Sequence, residues 1–139
     1  MSTAKPCVFC EIVRGKVPSS RVLETDAVLA FLDHRPLFPG HVLVVPKSHV
    51  ETLGDLPPAL IEPLFAEAKR LSIAVERALG AQGTFVALNN RVSQSVPHLH
   101  VHVVPRTRGD GLKGFFWPRH PYRDETHREE TAALIRTAL

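Results

Sequence analysis

Residues 98–102 read His-Leu-His-Val-His. Side chains two apart share a face of an extended chain. A strand here sets His98, His100 and His102 in one imidazole row and turns Leu99, Val101 and Val103 into a core. A buried strand has no structural use for three such rings, because each carries two nitrogens that need partners. Imidazole is a good nucleophile at neutral pH, since much of it is already deprotonated. It attacks through one nitrogen while the other is held as a donor, which fixes the tautomer. One ring of a row can thus attack while a neighbour donates to phosphate oxygens or a leaving group. Asn90, Gln94 and Ser95 lie just upstream and can hold developing charge. The chain has no Walker A loop and no G-x-G-x-x-G, so phosphate would be held by these side chains rather than by a glycine cradle. The plain alternatives for the row are an all-histidine metal site or a solvent-facing strand.

A second pattern is Cys7-Val8-Phe9-Cys10. The spacing brings two thiols onto one ion or into one redox couple. A redox pair of the thioredoxin type follows a strand, and only a few residues precede Cys7. Zinc needs two further ligands, which the downstream histidines could supply. Two small buried hydrophobes are the bland alternative.

These residues need elements to hold them. Glu11 to Gly15 reads as a short helical turn, and Val17-Pro18-Ser19-Ser20 breaks the chain. Arg21–Glu24 and Ala27–Asp33 read as two strands around a Thr25-Asp26 turn, and His41–Val45 as a third, stopped by Pro46. A long helix opens at Leu56-Pro57-Pro58 and runs to about Leu79, with Leu60, Leu64, Ala68, Leu71, Val75 and Ala78 stepping by three or four. Pro63 suggests that it starts near Ala59 or later, and Gly80 caps it. Thr84–Leu88 is a strand, 89–95 a polar loop, and Pro97–Pro105 the histidine strand. Phe115-Phe116-Trp117 is either a satellite core or a binding lip. Asp124 opens a C-terminal helix. Short, close, turn-connected strands beside helices predict an α+β fold with an antiparallel sheet.

The bounds are ordinary. A chain of 139 residues suits one domain. The net charge is +3 without a long basic run, so charge gives no case for nucleic acid. No apolar run reaches a membrane span and the N-terminus lacks a signal-peptide core, so a cytoplasmic protein with reduced cysteines is expected.

The motif at His98–Val104 resembles that of the histidine triad family. Phe31-Leu32-Asp33, Pro39 to Val44, Pro46-Lys47-Ser48-His49, Asn89-Asn90 and Gln94 to His98 resemble further family signatures in the family order, covering roughly 7–106. The resemblance implies one histidine triad domain over 1–139, with a five-stranded antiparallel sheet, a long central helix and a C-terminal helix, pairing as a homodimer. Its C-terminal loop and helix, 107–139, would influence substrate choice. It implies an enzyme that cleaves the α-phosphorus bond of nucleoside 5′-phosphoramidates or dinucleoside polyphosphates, with a purine nucleotide of the AMP or GMP type as substrate. A non-catalytic nucleotide sensor or scaffold is the alternative, and a zinc-dependent nucleic-acid binder a distant third.

Carried over by that resemblance, His100 is the nucleophile, forming a nucleotidyl-histidine. His102 contacts the phosphate or the leaving group, and His41 supports the row. Asp33 accepts both ribose hydroxyls. Phe9, Ile12, Val17, Phe31 and His34 line the base pocket, and Asn90, Gln94 and Ser95 hold the α-phosphate. Family members with an N-terminal C-x-x-C resemble a zinc-bearing subgroup, whose ligands here are Cys7, Cys10, His49 and His98. A closed Cys₂His₂ set is structural rather than catalytic. The loop 90–94 departs from the family pattern in being short and free of glycine, and it leaves Asn89 and Asn90 as alternatives for the phosphate. The leaving group is open.

Overall fold

The computed structural model describes residues 6–113 and 118–139. The Phe115-Phe116-Trp117 cluster lies outside the described residues. In chain order the elements are α1 (Val8–Val13), β1 (Arg21–Glu24), β2 (Val28–Leu32), β3 (Val42–Pro46), α2 (Pro58–Leu79), β4 (Gly83–Ala87), β5 (Val101–Arg106) and α3 (Glu125–Ala138), with a 3₁₀ turn at Leu53–Asp55. The strands form one five-stranded sheet in the order β1-β2-β3-β5-β4. Each pairing is antiparallel, as expected for turn-connected strands.

The chain divides into two compact units at Arg108/Gly109. The second unit holds α3. Asp124 caps that helix by accepting a hydrogen bond from the His127 N–H at 2.7 Å, and none of its residues is buried.

Both faces of the sheet are covered, which explains why β2 and β3 read as unbroken apolar runs. On one face Val28, Ala30, Val42, Val44, Leu99, Val101 and Val103 pack with Leu64, Ala68, Leu71 and Val75 of α2. These helix positions are the apolar stripe predicted from the sequence. The helix begins at Pro58, keeps Pro63 inside it, and ends at a left-handed Gly80. Pro58 opens the helix at no cost, since a first-turn N–H lacks an intrahelical partner anyway, whereas Pro63, the sixth residue, forgoes one i→i−4 hydrogen bond near the N-terminal end. On the opposite face Leu29, Phe31, Leu43 and Val45 meet Phe9 and Ile12 of α1.

Several boundaries differ from expectation: the first helix is Val8–Val13 rather than Glu11 to Gly15, and β2, β3 and β4 shift by a residue at their ends. Pro46 closes β3 rather than lying past it. The histidine strand begins at Val101, not Pro97. The β3–β5 ladder ends at Val44↔Val101, and the chain before it bonds elsewhere: Leu99 N–H donates to the Val50 carbonyl at 2.7 Å and His98 N–H to the Val96 carbonyl at 2.8 Å. His98 and His100 therefore sit in an extended lead-in, and only His102 lies in the regular strand.

Gly40 delivers the chain to His41. Its φ is +100°, and a Cβ there would collide with the Leu79 side chain. Gly40→Ala should cost about 1–2 kcal/mol from backbone strain alone. A urea titration would read this as a lower midpoint, and an unchanged midpoint would show that the turn can relax.

Candidate active site

The register brings the site together. Phe31 pairs with Leu43 and Leu43 with His102, so three strands contribute to one row, since directly paired residues lie on the same face. Asp33 follows β2 by one residue and His41 precedes β3. They are tied by the Asp33 N–H donating to the His41 carbonyl at 2.9 Å. A cavity of about 800 Å³ opens over this face. Phe9, Ile12, Val17, Phe31, Asp33, His34, Ser95, His100 and His102 all line it, nine of the residues predicted for nucleotide binding.

Main-chain groups fix the proton on three of the rings. His100 Nδ1 lies 2.7 Å from the His98 carbonyl oxygen. A carbonyl only accepts, so Nδ1 carries the proton and the Nε2 lone pair is bare. His98 Nε2 lies 2.8 Å from the Pro46 carbonyl, so its bare nitrogen is Nδ1. At His41 the polarity reverses. The Leu37 N–H donates to Nδ1 at 3.1 Å, which leaves the proton on Nε2. That proton goes to His102 Nδ1 at 2.9 Å, and His102 must then carry its own on Nε2. The neutral site thus offers a bare Nε2 on His100 beside an Nε2–H donor on His102, with ring centroids 4.9 Å apart.

Burial supports the neutral forms. It pushes His41 below the ordinary histidine value against the pull of the Asp33 carboxylate. It also lowers His98, with the Pro46 carbonyl opposing. His102 falls to about 4 through burial first, then the neighbouring His100 and His41. With His41 neutral, the 3.8 Å approach of its Nδ1 to Asp33 Oδ2 is not an ion pair. Asp33 Oδ1 accepts from the Arg35 N–H at 2.9 Å, and Oδ2 faces His41. Asp33, His41 and His102 place ligand atoms within 4.8 Å of one another, but both His41 nitrogens are committed and neither has a lone pair for a cation.

The second cluster joins α1 to the histidine segment. The bare His98 Nδ1 lies 3.4 Å from Cys7 Sγ, 3.5 Å from Cys10 Sγ and 3.2 Å from His49 Nδ1. Cys10 Sγ is 3.4 Å from His49 Nδ1. Tetrahedral zinc, with bonds of about 2.0–2.1 Å to nitrogen and 2.3 Å to sulfur, separates two nitrogens, or a nitrogen and a sulfur, by about 3.3–3.6 Å. These four residues could hold a metal ion. Without one, burial first, then the hydrogen bond to Cys7 and its charge push the Cys10 thiol up.

Of the residues predicted for nucleotide binding, His41, Asn90 and Gln94 do not line the cavity, and His41 acts on it through His102. Asn90 Oδ1 accepts from the Leu53 N–H at 2.9 Å. Gln94 accepts from the Arg91 N–H at 2.8 Å and donates to the Glu51 carbonyl at 2.6 Å. Asn89 Nδ2 donates to the Ser93 carbonyl at 3.3 Å. These amides build the loop. The cavity also takes in Val8, Pro18, Ser19, Ser20, Leu32, Leu43 and Val96, which the sequence reading did not single out. Leu43 was within reach, since it lies two residues from His41 on the same face of one strand. Ser19 and Ser20 read only as a break.

Comparison with known proteins gives the following. A family model described as HIT domain matches residues 14–109. An uncharacterized HIT-like protein of Mycobacterium tuberculosis is 39% identical over 139 residues, spanning 96% of this chain and 93% of that protein. An adenosine 5′-monophosphoramidase of Schizosaccharomyces pombe is 35% identical over 86% of this chain and 88% of its own length. An adenylylsulfatase of Arabidopsis thaliana is 36% identical over 76% of this chain and 55% of its own length. A HIT family structure from Bacillus subtilis superposes with a TM-score of 0.88 at 30% identity, covering 97% of this chain and 98% of that one. A Zn-bound histidine triad family protein from Mycobacterium smegmatis gives 0.73 at 40% identity, covering 95% of each.

The lowered histidines set a pH dependence. Between about 6.5 and 4 the unfolded chain binds a proton at residue 102 that the folded chain refuses. That stability is therefore complete above about 6.5 and is lost as the pH falls toward 4. Melting curves across this window should show a steep loss for the wild type and a shallower one for His102→Gln. Parallel curves would remove His102 from the account.

Proposed function

The chain belongs to the histidine triad family, and from that premise we propose that it is a nucleotide hydrolase or nucleotidyl transferase. In this reading it cleaves the α-phosphorus bond of purine nucleoside 5′-phosphoramidates or dinucleoside polyphosphates. The observation that carries the reading is the His100 tautomer: an Nδ1–H held by the His98 carbonyl and a bare Nε2 on a residue that lines the cavity. The phosphoramidase and adenylylsulfatase among the relatives support the same class of chemistry.

The steps follow from the proton positions. His100 Nε2 attacks the α-phosphorus, and a P–Nε2 bond forms as the P–N or P–O bond to the leaving group breaks. The electron pair leaves with that group, which takes up a proton. Water then attacks the phosphorus, His100 departs with its electron pair, and the water's proton is released as the mononucleotide forms. His102 donates its Nε2–H to the phosphoryl oxygens or the departing atom. It is neutral in the free site, and an anionic phosphate beside it would raise its proton affinity. Asp33 accepts the ribose hydroxyls through Oδ2. Ser95 serves the α-phosphate, whereas Asn90 and Gln94 would have to give up loop bonds to do so.

Cys7, Cys10, His49 and His98 are proposed to hold one structural zinc ion. It would supply a tie between α1 and the histidine segment rather than chemistry at phosphorus. The chain is proposed to act as a cytoplasmic homodimer. Its edge strand β4, which leaves Val86 exposed, supports pairing with a second copy. No described helix is long and apolar enough to cross a membrane. One domain over 1–139 is proposed, with 107–139 tuning the leaving group.

Three measurements test these readings. Adenosine 5′-phosphoramidate should be hydrolysed by the wild type, while His100→Ala should lose at least about a thousandfold in kcat, the scale of a missing nucleophile. Equal turnover, or none by either protein, refutes the reading. Elemental analysis should find one zinc per chain in the wild type and little in Cys10→Ala. The melting temperature of Cys10→Ala should fall well below that of His100→Ala, because lost metal binding is lost folding energy.

A further inference from the structure

Resting on the nucleotide reading above, we propose that the Ser19 hydroxyl reads the edge of the base, donating to an unprotonated purine ring nitrogen. Ser19 lines the cavity, yet its Oγ is buried and has no hydrogen-bond partner. Among the described residues it is the one buried side-chain polar atom left so. Buried hydroxyls are almost always satisfied, and an orphan is a standing cost to the fold. An orphan on a binding wall has an evident remedy, which is a partner that arrives with the ligand.

The surroundings favour a base as that partner. Phe9, Ile12, Val17 and Phe31 share the wall with Ser19, and the two phenyl rings meet edge to face with centroids 5.4 Å apart. Such a lining accepts any flat aromatic ring and reads none of them, so discrimination needs a polar group placed among the apolar ones. The other polar lining groups are spoken for. Asp33 takes the ribose, and Ser95, His100 and His102 take the phosphate. The His34 side chain is 91% exposed, and Ser20 is exposed as well.

Ser19 is also held where it can act. Pro18 fixes the preceding φ. The Ser20 carbonyl accepts from the Leu32 N–H at 2.9 Å, and Arg21 Nη2 donates to the Ile12 carbonyl at 2.6 Å. The backbone is thus pinned to β2 and to the end of α1, and meeting a ligand at this wall asks of Ser19 only a change of χ1 rotamer.

A hydroxyl that the free protein leaves unpaired and the complex satisfies gives opposite signs in two measurements of Ser19→Ala. The melting temperature of the free variant should equal or exceed that of the wild type. Its calorimetric affinity for AMP should fall by about five- to tenfold, the scale of one hydrogen bond. Affinities for the 1-deaza, 3-deaza and 7-deaza analogues of AMP locate the acceptor. One of them should lose the same factor with the wild type and lose nothing further with Ser19→Ala. Equal affinity of both proteins for AMP overturns the proposal, as does a wild type indifferent to all three analogues. A free variant that melts lower overturns it too, because the hydroxyl would then already have a partner. Failure of the wild type to bind AMP would instead strike at the nucleotide reading itself.

Discussion

The hydrogen bond from His100 Nδ1 to the His98 carbonyl, 2.7 Å long, is the contact on which the site depends. A carbonyl cannot donate, so the bond leaves one possibility for the neutral ring, and Nε2 is bare. Its partner is the backbone two residues earlier in the same segment. Whatever positions that segment therefore sets both the place and the protonation of the reactive nitrogen. The Pro46 carbonyl does the same for His98, and the Leu37 N–H fixes His41 in the opposite sense. Main-chain groups are better anchors than side chains here, because they neither titrate nor change rotamer. The proton pattern then persists wherever the fold does.

An extended segment with alternate residues facing opposite ways explains how two clusters share one stretch. Leu99, Val101 and Val103 go into the α2 core, and the histidines go to the other face. Leu99 and His98 are both fully buried, so the segment cannot slide by one residue without putting imidazoles into the α2 core. His98 turns toward the thiols of α1, and His100 and His102 line the cavity. Phe9 packs edge-on against both His98 and His100, with centroids 5.9 and 5.0 Å away. One short helix and its N-cap thus supply both of the cluster's thiols and part of the cavity wall.

Much of this was legible in the sequence, for identifiable reasons. Alternation at 98–103 announces two faces whatever the ladder does, and so it survived the late start of the strand at Val101. The α2 stripe and the Gly80 cap are local signals of helix period and left-handed backbone. The Cys7/Cys10 spacing allowed one ion or one redox couple, and the fold brings His49 and His98 beside the two thiols. What could not be read were facts of tertiary pairing. The Leu37 N–H to His41 bond spans a turn of irregular backbone. Ser19 carries a signal only because nothing satisfies it, and absence of a partner has no sequence signature. Asn90 and Gln94 have the residue types that hold phosphate, but the same amides serve equally well to close a loop.

That last ambiguity has a physical resolution in the loop itself. Lacking glycine, it turns by holding Arg91 at φ 66° and Ser93 at φ 62°. Left-handed backbone at such residues costs of order 1 kcal/mol each and persists only when the surroundings over-determine it. Gln94 supplies that determination, bonding Arg91 N–H with one end and the Glu51 carbonyl with the other, while Asn90 ties the loop to Leu53. A glycine-containing loop would need less holding and would leave its amides free for a ligand. Here the amides are taken up by the geometry of the turn, and what faces the cavity from this side is Ser95 and the imidazoles. In the proposed reaction the α-phosphate is then met mainly by ring nitrogens whose protons the backbone has already assigned, so phosphate recognition and nucleophilic attack draw on the same main-chain bonds.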